Sequence, residues 1–303
     1  MKKALWITAT VVVISLICTV CFSVALGSQG VREILRDGGA LDELSENINW
    51  RELIAYGKEW SDIIHDEIHD EQFLFDSKTL ELPARDTLKI TAEVGEVHVV
   101  RGSGDTVRAV LEQFSARENP TSRFTLSSVS ETELHLSAEP TLNGFSAQLT
   151  VYVPATLKEL SVEVETGEVE IEDVSADTLT VKVSTGQLEA KCVTAKNAEL
   201  RVNTGNAEID SRVRVTDTLY VHCACGDVEL DMPIGGAKQM QYSVDTGNVD
   251  IDSSVQADWL HSDIRKGASQ EGTLLYTRQD TAENGTYQID VAIGNIQFDA
   301  EVD

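Results

Sequence analysis

The 303-residue chain is poor in basic residues: 24 Lys and Arg stand against 51 Asp and Glu, a formal charge of −27. That balance excludes nucleic acid as a natural partner and argues against direct adsorption to anionic lipid, since both surfaces recruit positive charge. Catalytic signatures are missing too. There is no glycine-rich phosphate loop and no serine nucleophile elbow, and His98, His135, His222 and His261 have no recognisable partners. The six-residue period of hexapeptide acyltransferase helices does not occur, nor does the calcium-binding GGxGxD nonapeptide. Of the five cysteines, Cys18 and Cys21 lack the leucine and small residue that a lipobox needs. Cys223 and Cys225 are two apart on one strand face, a spacing that rarely has disulfide geometry, and Cys192 would lie more than one coil away. Cys223 and Cys225 read instead as small buried hydrophobes. No enzyme and no obligate cofactor is expected.

What the chain does have is a repeat. VEVETGEVEIE, VKVSTGQLEAK, LRVNTGNAEID, VHCACGDVELD and YSVDTGNVDID centre on Gly167, Gly186, Gly205, Gly226 and Gly247, spaced by 19, 19, 21 and 21 residues. Side chains alternate between strand faces, so aligned positions separate an inner from an outer set. Inner columns are Leu160, Leu179, Ala198, Leu219 and Met240, then Val162, Val181, Leu200, Val221 and Tyr242, then Val164, Val183, Val202, Cys223 and Val244. The threonines before the glycines are expected to face inward, with a two-residue bend at each glycine. Two further copies surround Gly95 and Gly294, outside the main array. Alternating runs at 123–138 and 146–153, separated by Asn143 and Gly144, read as an inserted hairpin, and 253–285 reads as another.

Strand, short bend and strand fit two architectures. Gly followed by Asn, Asp or Glu is a tight-hairpin signature. A parallel β-solenoid with one repeat per coil also explains why the same residue types return at fixed offsets, because stacking places them in columns. The solenoid is the favoured expectation: a mainly β repeat domain over 73–303, preceded by a transmembrane helix and a short amphipathic helical segment.

The run VYVPATLKELSVEVETGEVEIEDV, with Pro154 and Leu160 leading into the bend at Thr166 and Gly167, resembles the bacterial putative-adhesin β-strand-repeat family. That family is a domain-of-unknown-function group of exported envelope proteins, and the resemblance covers roughly residues 75–303. It implies a β-solenoid-like exported domain, and it carries over no catalytic residue.

The N-terminus bears on location. After Lys2 and Lys3, Ala4 to Leu26 contain no charge; as a helix this run would reach ~34 Å, enough for a bilayer core of ~30 Å. Lysines on the N-terminal side place residues 1–28 as a cytoplasmic tip and single-pass anchor, with the β domain extracytoplasmic. A cleaved signal peptide ending near Ser23, Val24 and Ala25 is the competing reading. Residues 29–72 form a membrane-proximal linker: apolar residues recur at helical spacing, and Asn49 with Glu52 resembles a capping box for a helix from about Trp50 to His69. Such a helix would cap an open solenoid end, with a coiled coil or a membrane-surface helix as alternatives. Within it, His65 and His69 sit one turn apart in HDEIHDE, but no further ligand is evident, so a solvated polar face is preferred over zinc.

The outward positions collect the acidic charge. Three residues after the glycines stand Glu170, Glu189, Glu208, Glu229 and Asp250; five after stand Glu172, Lys191, Asp210, Asp231 and Asp252. Stacked in register, like charges would lie ~4.8 Å apart and repel by ~1 kcal/mol per neighbouring pair in water. Such a ladder is a solvated negative surface, a calcium site, or a face for cationic ligands. The sequence therefore points to an interaction or adhesion module contacting a wall polymer, an envelope protein or a cationic peptide. An envelope-stress accessory protein that senses or sequesters cationic agents and a calcium-dependent structural protein are the alternatives.

Overall fold

The computed structural model describes residues 72–117, 120–140, 142, 144–155, 157–232, 237–252, 255, 259–276 and 285–300. The expected membrane segment, the helix ending at His69 and the HDEIHDE motif lie outside these residues. Every element described is a strand. The first seven are β1 (Phe73–Pro83), β2 (Thr87–Val94), β3 (Glu96–Arg101), β4 (Thr106–Ser115), β5 (Phe124–Ser130), β6 (Glu133–Ala138) and β7 (Phe145–Val153). The inserted hairpin is β5 and β6, joined antiparallel, and not a pair divided at Asn143 and Gly144. β7 instead runs antiparallel to β4 and parallel to β3.

The repeats form β8 (Leu157–Glu172), β9 (Ser175–Lys191), β10 (Thr194–Ile209), β11 (Arg214–Cys225) with β12 (Val228–Met232), and β13 (Ala237–Ile251). β8 pairs in parallel with β9 from Leu157↔Ala176 to Glu172↔Lys191, yet only Asp173 and Val174 join the two strands. Sixteen extended residues would span ~53 Å, which two residues cannot retrace, so each strand must bend back and close a coil. This is the parallel stacking expected of the solenoid. Leu160, Val162 and Val164 on one limb then face Val169 and Ile171 on the other, all at most 2% exposed. The bend is wider than expected, because residues 165–168 all leave the core between Val164 and Val169. Thr166 and Thr185 are exposed and Thr204 and Thr246 half-buried, so the threonine column does not face the interior. Strict alternation fails there because the chain turns a corner, and one residue is skipped in the register between Val164↔Val183 and Thr166↔Thr185.

The second corner explains the spacing. Asp173 and Cys192, both at φ 51°, close the two 19-residue coils. The next coil spans 21 residues, and its two additions are divided between two places. One widens the turn in which Val213 N donates to Asp210 O at 3.0 Å; the other forms the bulge between Val215 and Thr218.

Stacking order departs from chain order at the C-terminal end. After β13 the chain forms the antiparallel pair β14 (Trp259–Lys266) and β15 (Ser269–Tyr276), then returns as β16 (Gly285–Ala300). β16 inserts between β11 and β13, parallel to both, so the path reads β8-β9-β10-β11-β16-β13-β15-β14. Likewise the Gly95 unit is no outlier: β2 and β3 stack directly on β8. The inserted strand is anchored by Tyr287, fully buried, whose hydroxyl donates to Val215 O at 3.0 Å and accepts from Val215 N at 3.1 Å.

The glycines form one column in the order 95, 167, 186, 205, 226, 294, 247. Their φ angles lie between 129° and 151°, a region L side chains rarely adopt. A Cβ on Gly186 or Gly205 would stand 1.7 Å from the carbonyl oxygen of the glycine before it in the stack. Beside this column runs a second. Asn206 Oδ1 accepts from Asp227 N at 3.1 Å, Asp227 Oδ1 from Asn295 N at 2.7 Å, and Asn295 Oδ1 from Asn248 N at 3.2 Å. At Asn206, Asp227 and Asn295 the residue after glycine thus satisfies the bend of the next coil and does not build a tight hairpin.

Candidate functional site: the acidic face

Parallel register brings the outward carboxylates together as expected. Glu170 lies opposite Glu189, Glu189 opposite Glu208, and Glu208 opposite Glu229. His98 precedes Glu170 in this column, with Nδ1 3.4 Å from the carboxylate. Its far end differs from the expectation, because the inserted β16 places Gln297 between Glu229 and Asp250. In the column two residues further on, Glu172 meets Lys191 and Asp231 meets Asp299. Asp252, whose backbone N donates to Phe298 O at 2.9 Å, closes the margin.

The face is not uniform. Lys191 Nζ reaches Glu189 at 2.6 Å and Glu170 at 2.9 Å. Burial pulls the ammonium's pKa down, but its hydrogen bonds to the two carboxylates outweigh this and hold it well above its ordinary 10.5. Asp210 is turned aside by Arg212, which donates through Nε at 2.9 Å and a terminal nitrogen at 2.7 Å. That bond holds the Asp210 carboxyl below its usual range despite partial burial. Among the described residues paired in register from Glu208 onward, Glu229, Gln297 and Asp250 follow in one column and Asp231 and Asp299 in the other. The Glu208 carboxyl is pushed up, first by desolvation and then by Glu189, Glu229 and Asp231, with Lys191 pulling weakly the other way.

Glu229, Asp231 and Asp299 each place one carboxylate oxygen within 4.8 Å of the others. Three carboxylate oxygens would supply part of the six to eight oxygens that calcium takes. Asp299 does not belong to the ladder drawn from the five central repeats. Its signal was nonetheless present, since it stands five residues after Gly294, the offset of Asp231 from Gly226. Only the insertion of β16 makes those two neighbours.

Cys223 is fully buried, as its column implies, with Sγ 3.2 Å from Gly205 O and its thiol pushed up to about 12 by desolvation. Cys225, in the bend just before Gly226, is half-buried and so departs from the buried reading.

Stacked bent strands, a glycine column and Asn/Asp-capped bends run through the stretches that match the Toastrack DUF4097 family, residues 85–252 and again 155–297. The chain belongs to the Toastrack DUF4097 family. No curated protein matches the chain. Among solved structures it is similar to a "putative cell adhesion protein" from Clostridium sporogenes, at 11% identity and a TM-score of 0.40 over 75% of this chain and 99% of that one. It is also similar to a "putative adhesin" from Bacteroides fragilis, at 13% identity and a TM-score of 0.32 over 74% and 97%. A "putative adhesin" from Parabacteroides distasonis aligns at 10% identity and a TM-score of 0.27 over 74% and 97%.

Proposed function

We propose that this protein is a non-catalytic interaction module, held outside a membrane by its N-terminal apolar segment, whose acidic face engages cationic groups on a wall polymer, an envelope protein or a peptide. One observation carries the reading, the contrast between two columns of the same stack. At the outer corner, Asp86, Lys158, Asp177, Lys196 and Asp217 alternate in sign; Lys158 is paired with Asp86, and Lys196 Nζ lies 2.8 Å from Asp177. The stack therefore accommodates alternating charges readily. Around Glu208 the stack instead places Glu189, Glu229 and Asp231 together, at a repulsive cost that a cationic partner would relieve. Calorimetry of the full chain with polylysine, cell-wall fractions and calcium chloride, with and without EDTA, tests it. Salt-sensitive polylysine or wall binding that EDTA leaves intact and Glu208→Gln weakens supports the proposal; no binding to any of the three sinks it.

A second reading rests on the Glu229, Asp231 and Asp299 triad: a calcium ion there would bridge the paired strands β12 and β16 and stabilise that part of the stack when loaded. Calcium-dependent stabilisation abolished by Asp299→Asn would favour this reading over the first.

A further inference from the structure

On the opposite limb of the last coils, away from the acidic columns, the outer face is hollowed into a groove of about 510 Å³. It crosses β16, β13, β15 and β14, and its size falls within the ~300–1,000 Å³ of small-molecule sites. The floor is made of small residues, Ser243, Gly272, Thr273 and Ser262, while Gln241, Gln288, Asp290, Glu271 and Ile264 stand around it. We propose that this groove binds an uncharged oligosaccharide.

The floor is fixed from beneath. The Tyr242 ring, buried, passes under β15 at Gly272, where an added Cβ would meet its hydroxyl at 2.1 Å. That hydroxyl lies 2.7 Å from His261 Nε2, so β13 is tied to β14 across the intervening strand. Above the floor, Asp290 is oriented by Ser243 Oγ, which donates to one carboxylate oxygen at 2.7 Å, and by Gln288 Nε2, which donates to the other at 2.7 Å, and the Tyr220 hydroxyl also hydrogen-bonds towards it. The carboxylate keeps acceptor capacity for a ligand hydroxyl beyond these donors. A site already held in place loses little ordering entropy on binding.

The mixture of groups selects the ligand class. Gln241, Gln288, Ser243 and Thr273 offer both donors and acceptors, which suits hydroxyls that themselves donate and accept. A phosphate or sulfate would be repelled by Asp290 and Glu271. An extended peptide would add its main chain along a free strand edge, but around Asp290 none is open, since β16, β13 and β15 are each paired on both sides. Ile264, 61% exposed, supplies an apolar edge for the C–H face of a sugar ring. Next to Gln288 and Asp290 in register come Tyr220 and His222, their rings stacked with centroids 6.2 Å apart, a flank that a longer chain would reach.

The test is a screen of the full chain, kept in a detergent without a sugar headgroup, against an array of uncharged oligosaccharides including chito- and malto-oligomers, followed by calorimetry. At least one uncharged glycan should bind, with an affinity unchanged by salt because no Coulomb attraction is involved. Ser243→Leu, which fills the floor, and Asp290→Asn should each weaken binding by about tenfold or more, while Glu208→Gln on the other face leaves it intact. If Ser243→Leu fails to fold, Gln288→Ala at the exposed rim takes its place. Binding of no uncharged glycan, survival of binding in both groove variants, or groove-dependent binding of polylysine alone would overturn the proposal. None of these results depends on whether the acidic face binds cations.

Discussion

The carbonyl oxygen of Gly226 lies 1.8 Å from the position that a Cβ on Gly294 would occupy. Two glycines from distant parts of the chain are thus adjacent rungs of one column, because the last repeat returns to lie inside the stack. This contact sets the conformational demand on the bends, and it brings Asp299 beside Asp231.

A methyl group at any central rung meets both a backbone clash and an unfavourable φ. Gly205→Ala should therefore lower stability by at least ~3 kcal/mol. Gly104, whose added Cβ would have its nearest neighbours at 4.0 Å, should accept alanine within ~0.5 kcal/mol. Urea unfolding of the two variants side by side checks the contrast.

Asp227 accepts both the backbone N and, at 2.9 Å, the Nδ2 of Asn295 through one carboxylate oxygen. Asp227→Ala should cost about 1–2 kcal/mol by leaving the bend of the inserted coil unsatisfied. Asp227→Asn, which keeps an acceptor oxygen, should recover most of it. A mere loss of negative charge would make the two variants alike, and thermal melts distinguish these outcomes.

Lys191→Met should destabilise by about 1 kcal/mol, a modest figure because the lysine is partly exposed. Its pKa in the fold is raised above 10.5. Its contribution is then fully present below that value and is lost only as pH rises through the higher folded one. The difference between wild type and variant should stay constant from neutral pH to about 10. Added salt should narrow it, since salt partly screens the repulsion between the half-buried Glu170 and Glu189 in the variant.

Glu208→Gln should act in the opposite sense. A carboxyl pushed above its ordinary 4.5 destabilises the fold where it is charged, and protonation relieves this as pH falls. The variant should be more stable than wild type at neutral pH by a few tenths of a kcal/mol, after allowance for screening. The gain should vanish below the ordinary glutamate range. A constant gain at all pH values would contradict the electrostatic account.

The repeat, its inner columns and the in-register carboxylates were legible in the sequence because parallel stacking maps chain offset directly onto spatial column. Leu160, Val162, Val169 and Ile171 alternate as a two-faced strand must. Local pattern failed at the corners, where Thr166 and Thr185 face solvent because four residues, not two, make the bend. The asparagines after the glycines looked like hairpin residues because one side chain can serve a local turn or the next coil, and sequence does not show what lies above it.

A glycine at fixed offset among alternating apolar residues leaves few ways to bury them, so the coil follows from the order of amino acids. The order of the coils does not; long-range strand pairing sets it. Parallel pairing depends on matching register and not on chain order, so β16 could fill the place between β11 and β13 as readily as the end of the stack. That choice separates Asp250 from Glu229 by Gln297, joins Asp231 to Asp299, and leaves β14 and β15 to shape the groove around Asp290.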